Sequence, residues 1–186
     1  MAARPPIVED GSGTRVRIRL AAGGDAPAVA SLLLESFAEY RDSYTPEGFA
    51  ATTPAREEVL ARMEEGPVWV ALLDGNVVGT VAAVDRGEGL YVRGMAVLPR
   101  ARGLGIGELL LREVEDYARA LGYSRLILST TPFLRRAIRL YERFGFLRSE
   151  EGARDLFGTP LFTMAKSLMA KSLRRARRVD ERERSE

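Results

Sequence analysis

Residues 95–110 read Met-Ala-Val-Leu-Pro-Arg-Ala-Arg-Gly-Leu-Gly-Ile-Gly-Glu-Leu-Leu. A hydrophobic strand empties here into an arginine- and glycine-rich turn that opens a helix, and a turn of this kind is built to hold a diphosphate. Gly103, Gly105 and Gly107 let the backbone approach an anion closely, and the N–H groups that begin the following helix lack intrahelical partners. Arg100 and Arg102 place positive charge beside them.

Spacing narrows the kind of diphosphate. A Walker-type loop needs Lys-Ser or Lys-Thr after its last glycine, and Gly107 is followed by Glu108 and Leu109. The dinucleotide fingerprint fails as well, because a match started at Gly105 would need its third glycine at Leu110. The arrangement Arg102-x-x-Gly105-x-Gly107 after an apolar strand instead resembles the acyl-CoA loop of the GNAT-type N-acetyltransferase family. A second segment agrees. Residues 133–146, Phe-Leu-Arg-Arg-Ala-Ile-Arg-Leu-Tyr-Glu-Arg-Phe-Gly-Phe, resemble the penultimate helix of that family at Ala137, Leu140-Tyr141-Glu142 and Gly145-Phe146. The likeness extends more loosely over residues 15–164. One departure is Leu134, where relatives often carry Asn, so a polar contact to a pantetheine arm from that position is absent or supplied elsewhere.

At 186 residues and 46% hydrophobic content the chain can bury one sizeable core. The expected organisation is a leader over residues 1–14, containing Pro5-Pro6 and Gly11-Ser-Gly13, a single domain over 15–164 and a basic tail over 165–186. The chain has no cysteine, which excludes disulfides and thiolate metal sites, and no histidine, which removes Ser-His and Cys-His pairs and the usual zinc constellations. No metal is expected. With neither a signal-peptide core nor an apolar stretch of bilayer length, the expectation is a soluble cytoplasmic protein with no membrane partner. The net charge of +2 is uneven, since residues 165–186 hold eight Lys or Arg against four Asp or Glu. Such a run could touch nucleic acid or an anionic surface, but a solvated terminal segment is the favoured reading, and nucleic acid is not an expected partner.

Periodicity predicts a half-buried strand at residues 16–20, where Val16, Ile18 and Leu20 alternate with arginines. Asp25 is placed to cap a helix with Val29, Leu32, Leu33, Ser36, Phe37 and Tyr40 on one face. Residues 41–54 read as loop and 55–64 as a second helix. Apolar runs at 68–73 and 77–84 flank Asp74-Gly75-Asn76, a hairpin signal, and a third strand spans 90–98. The near-continuous hydrophobicity of these strands implies helices on both faces of the sheet. Leu110, Val114, Tyr117, Ala118 and Leu121 form the buried stripe of the next helix, with Gly122 as its stop. Strands follow at 125–129, around Phe146 and at 161–164. Met164-Ala-Lys-Ser-Leu168 repeats as Met169-Ala-Lys-Ser-Leu173, which reads as the extension of a terminal helix.

The resemblance implies an α/β fold with a central mixed, mostly antiparallel sheet of about six to seven strands, flanked by helices and split in a V that receives acyl-CoA. By that likeness Met95, Ala96 and Val97 meet the pantetheine arm, and Arg102, Gly103, Leu104, Gly105, Ile106 and Gly107 meet the diphosphate of acetyl-CoA. Tyr141 touches the cofactor and protonates the departing thiolate. The implied reaction moves an acetyl group to a primary amine, on a small molecule or peptide, by direct transfer in a ternary complex. An aliphatic ammonium of pKa about 10.4 must lose a proton, which costs roughly 4 kcal/mol near pH 7.4. Many relatives place a carboxylate in or at the start of the central strand; residues 90–98 have none, leaving Glu88, with Asp85 behind it, as the candidate base. Phe37, Tyr40, Tyr44 and Tyr91, with Phe49 nearby, are candidate walls of the acceptor pocket. Two alternatives stay open: a catalytically silent acyl-CoA sensor, for which Leu134 and the missing strand carboxylate speak, and a nucleic-acid-associated protein in which the tail is primary. A homodimer is also left open.

Overall fold

The computed structural model describes residues 7–9, 15–87, 89–150, 152 and 155–168. Ile7–Glu9 (β1), inside the stretch expected to be a leader, pairs antiparallel with Arg15–Leu20 (β2). The chain continues through helix α1 (Ala26–Phe37), a 3-10 segment Ala38–Ser43, α2 (Pro46–Thr52) and α3 (Arg56–Glu65). Strands β3 (Val68–Leu73), β4 (Asn76–Asp85) and β5 (Leu90–Val97) then lead into α4 (Ile106–Ala120). Strand β6 (Arg125–Thr130), α5 (Arg135–Arg143), β7 (Leu147–Ser149), the two-residue strands β8 (Asp155–Leu156) and β9 (Thr159–Pro160), and β10 (Phe162–Ser167) complete it.

Eight strands form one sheet in the order β1-β2-β3-β4-β5-β6-β10-β7, while β8 and β9 make a separate ribbon. Every neighbouring pair in the sheet is antiparallel except β5 and β6. The sheet is mixed and mostly antiparallel, with β1 as an edge strand beyond the seven expected. Helix α4 packs on one face, where Trp69 meets Tyr117 edge to face, and α1 and α3 pack on the other, where Glu65 reaches Arg93. The continuous apolar runs of β3 and β4 are explained by this double covering, and their core includes Val70, Val81, Leu110 and Leu126.

Three local expectations change. Residues 46–52, expected as loop, are helical, because the Thr45 hydroxyl accepts the Gly48 N–H at the N-cap and Pro46 is set for the first turn. Leu121 is exposed, since α4 stops one residue earlier and Gly122 turns the chain away in a Schellman arrangement, with Tyr123 N–H to Ala118 O and Gly122 N–H to Arg119 O. Residues 164–167, read as the start of a helical repeat, belong to β10, and Leu168 is buried with its N–H on Ser124 O. Alternation beside β6 overrides the helical look of Met-Ala-Lys-Ser. The second copy and the rest of the basic tail, residues 169–186, lie outside the described residues.

Candidate active site

The site begins with an interruption in β5. Thr80 of β4 stands opposite Ala96 and Ala82 opposite Arg93, so Gly94 and Met95 together face Val81. This is a β-bulge, and Gly94 sits in it at φ +56°, a left-handed conformation that residues with a Cβ resist. A bulge bends and twists its strand. Strand β5 accordingly pairs with β6 only from Leu90 to Val92, against Leu126 to Leu128, and the two strands part beyond that point. Met95, Ala96 and Val97 line the wedge on one side; Ser129 and Thr130 line it on the other.

Where β5 ends, the chain enters the glycine turn. The peptide N–H groups of Gly103, Leu104, Gly105, Ile106 and Gly107 have no backbone acceptor among the described residues. Gly105 is the N-cap of α4 at φ +72°, and its carbonyl receives Glu108 and Leu109, which frees the first-turn nitrogens for an external anion. A Cβ at Gly107 would lie 2.7 Å from Leu140 Cδ2, so this glycine lets α4 approach α5 closely.

The two arginines of the turn do something the spacing alone did not reveal. Arg102 turns inward: its Nε donates to Val97 O at 3.2 Å, one Nη to Ser36 O at 3.2 Å, and the other to Glu39. Arg100 pairs with Glu35 at 2.7 Å. Both guanidiniums thus hold the turn against α1 and its extension. The Val97 carbonyl, expected to meet a pantetheine arm, is already bonded.

Tyr141 is held by the end of its own helix. Gly145 N–H bonds Glu142 O and Phe146 N–H bonds Tyr141 O, closing α5 in a Schellman motif, with the Tyr141 and Phe146 rings 5.9 Å apart. That is the physical content of the spacing Tyr-Glu-x-x-Gly-Phe. Burial pushes the Tyr141 phenol far above the ordinary tyrosine value, with Tyr44 and Tyr91 adding to the rise.

These elements enclose one cavity of about 600 Å³. Met95, Ala96, Val97, Arg102, Gly103, Gly105, Ile106, Gly107 and Tyr141 line it, as do Phe37, Tyr40, Tyr44 and Tyr91. Leu104 does not line it and is partly exposed. Phe49 is buried behind Tyr44, at 6.1 Å between ring centroids, and Phe133 backs the same wall at 4.8 Å from Tyr44. Glu88 lies outside the described residues.

Sequence reasoning passed over the polar half of the lining. Ser36 Oγ, Arg93 Nε, Arg93 Nη2 and Thr130 Oγ1 are buried without a hydrogen-bond partner among the described residues, while Thr131 Oγ1 meets the Tyr44 hydroxyl. All belong to residues that line this cavity. Buried polar atoms are normally satisfied, so a cluster of orphans marks where a ligand completes the bonding. Arg62, Arg136 and Arg143 also reach the lining, whereas Glu108, bonded to Arg112 at 2.6 Å, is the sole carboxylate among the described lining residues. Ser36 reads as part of a helix face, and Thr130 and Thr131 fall just beyond the strand expected at 125–129; no local pattern signals that they converge.

The acetyltransferase (GNAT) family model matches residues 30–146. N-acetylaspartate synthetase of Homo sapiens is 42% identical over 99 residues, covering 52% of this chain and 32% of that protein. The chain therefore spans about a third of that relative. The uncharacterized N-acetyltransferase YjgM of Escherichia coli is 33% identical over 129 residues, 66% of this chain and 76% of that one. Among solved structures, PaiA N-acetyltransferase from Thermoplasma acidophilum in complex with coenzyme A superposes with a TM-score of 0.70 at 17% identity, over 82% of this chain and 98% of the other. YncA from Salmonella typhimurium with acetyl-CoA gives 0.65 at 22% identity, over 83% and 94%. At these identities the structural likeness speaks for the fold.

Proposed function

Because this chain belongs to the GNAT family of acetyltransferases, we propose that it moves an acetyl group from acetyl-CoA to a primary amine by direct transfer in a ternary complex. The observation that carries this reading is the junction, at one cavity, of an opened strand edge with a glycine turn whose peptide N–H groups have no backbone acceptor among the described residues. The residues fit the cosubstrate: the turn and first α4 nitrogens would hold the diphosphate, and the β5 edge from Met95 to Val97 would lie along the pantetheine arm. When bound, acetyl-CoA supplies an acyl group activated as a thioester.

Transfer forms a C–N bond and breaks a C–S bond; the ammonium nitrogen gives up one proton to a base before attack and a second after it, which balances the proton that Tyr141 passes to the departing sulfur. Tyr141 is the proposed proton donor, since its buried phenol keeps its proton throughout the neutral range. Glu88 remains the proposed acceptor of the ammonium proton. The absence of cysteine and histidine leaves no covalent relay through either. No helix among the described residues is long and apolar enough to cross a membrane, and a cytoplasmic setting belongs to this reading. The sensor alternative keeps the same groove without turnover.

Thermal unfolding with and without acetyl-CoA, followed by assay of free thiol with an amine panel, tests the proposal. Saturating acetyl-CoA is expected to raise Tm by about 5 °C or more, and at least one amine to release thiol in proportion to the acetylated product. An unchanged Tm would reject the groove. A shift without thiol from any amine would favour the sensor.

A further inference from the structure

Arg93 lies on β5 two positions before Met95, on the face covered by α1 and α3. Its Nη1 is paired with Glu65 Oε2 at 2.9 Å, while Nε and Nη2 are buried without a partner among the described residues. These two atoms form one edge of the guanidinium, the edge that matches both oxygens of a carboxylate in a bidentate pair. A buried charged donor left unbonded is costly, and here an entire fork is unbonded at the wall of the cavity.

Arg62 of α3 lines the same wall. Its Nη2 donates to Ala51 O at 2.8 Å, and its guanidinium is less basic than usual, first because of burial and then because of the neighbouring Arg93 charge. Two guanidiniums therefore share a partly desolvated corner with Glu65 as the carboxylate bonded to Arg93. Glu58 and Glu65 both act on Arg62 and balance the charge of the corner, so what the Arg93 fork lacks is two acceptor atoms. Tyr91, on the same strand face as Arg93, also lines the cavity, with the Arg86 guanidinium stacked 4.4 Å from its ring centroid.

We propose that the acceptor is a small amine that itself carries a carboxylate, which docks on the Nε/Nη2 edge of Arg93 with Arg62 beside it. This rests on the acetyl-transfer reading for its amine and on the Arg93 geometry for its acid. Arg93 immediately follows Val92, the last β5 residue paired with β6, so one small molecule can bind at the fork and present its nitrogen where the strands part. A peptide offering only its N-terminus, or a simple alkylamine, would leave the fork unsatisfied. Discrimination follows from the orphaned donors: a site built to bond a polar group rejects the analogue lacking it far more strongly than an apolar pocket rejects a missing methylene.

The test compares matched acceptors on the full chain: alanine with alaninamide and ethylamine, aspartate with asparagine, glutamate with glutamine. The best carboxylate-bearing amine is expected to exceed its carboxylate-free counterpart by about a hundredfold in kcat/KM, mainly through KM. Arg93→Lys keeps the charge but loses the fork. It should raise KM for the acid at least tenfold, leave KM for acetyl-CoA unchanged and collapse the preference over the amide. Succinate, titrated calorimetrically into the CoA-loaded protein with succinamide as control, gives a readout that needs no turnover, and its binding should weaken at least tenfold in the variant. If Arg93→Lys does not fold, the wild-type panel and the succinate titration decide alone. Amides used as well as acids, or succinate binding no better than succinamide, would overturn the proposal. Arg93-dependent succinate binding without thiol release from any amine would uphold the carboxylate site and reject acetyl transfer.

Discussion

Tyr141 occupies the third position from the end of α5, where the Schellman closure brings its ring against Phe146 and fixes it at the cavity wall. Removing only its hydroxyl separates packing from chemistry. Tyr141→Phe is expected to fold normally, to bind acetyl-CoA with unchanged affinity and to lower kcat about tenfold or more; steady-state kinetics beside a thermal-shift titration checks this, and an unaltered kcat would remove the proton donor from the mechanism. This residue was legible because the motif around it is local: a tyrosine, a glycine four residues on and an aromatic after it specify one helix ending. Arg93 was not. Its partners Glu65 and Arg62 come from a helix closed before the strand begins, and only the folded chain brings them together. Arg102 was legible as a cation of the turn, yet its engagement with Val97, Ser36 and Glu39 depends on where α1 docks.

Among the elements, β5 carries the decisive irregularity. Gly94 adopts φ +56° with open space where a Cβ would stand, so a substitution there is resisted by backbone conformation and not by crowding. Gly94→Val should destabilise the fold by about 1–2 kcal/mol and, by altering the bulge, raise KM for acetyl-CoA several-fold. Chemical denaturation with kinetics on the soluble variant would detect both, and a variant with wild-type KM would detach the bulge from the groove. A lone glycine inside an apolar strand is a recognised bulge signal, but the run 90–98 reads equally well as uninterrupted strand. Hairpins and helices were easier. Asp74-Gly75 joins β3 to β4 as a two-residue turn, and Leu110, Val114 and Ala118 fall in the α4 core, because both patterns are set within a few residues. Helix α2 was readable from Thr45 and Pro46 and was outweighed by the glycine and threonines around it.

At the scale of the molecule, two anchored carboxylates contribute to the response to acid, one bonded locally and one joining α4 to β10. Asp25 accepts both Nη atoms of Arg19, at 2.7 and 2.8 Å, and the Ala22 N–H, and the Arg19 bonds hold its carboxyl below the usual range. Glu115 of α4 works against burial, which favours its neutral form, but bonds from Lys166 of β10 and Arg119 prevail and leave its pKa lowered as well. A carboxyl with a depressed folded pKa contributes stability above its unfolded pKa, and that contribution is lost as pH falls through the folded value. Glu115→Gln is therefore expected to destabilise the protein by about 2 kcal/mol at pH 7 and to flatten the fall of Tm between pH 5 and the acid transition. A variant as acid-sensitive as the wild type would assign that fall elsewhere.

The paired arginines of the glycine turn have a consequence for how the cavity is held. Arg100 grips Glu35 and Arg102 grips Glu39, one helical step apart, with Arg102 also bonded to the intervening Ser36 carbonyl. Phe37 and Tyr40 ride on that same stretch. The turn and the stretch that carries the aromatic side of the chamber are thereby tied by three contacts, so the anion-holding end and the acceptor end of the chamber share one support.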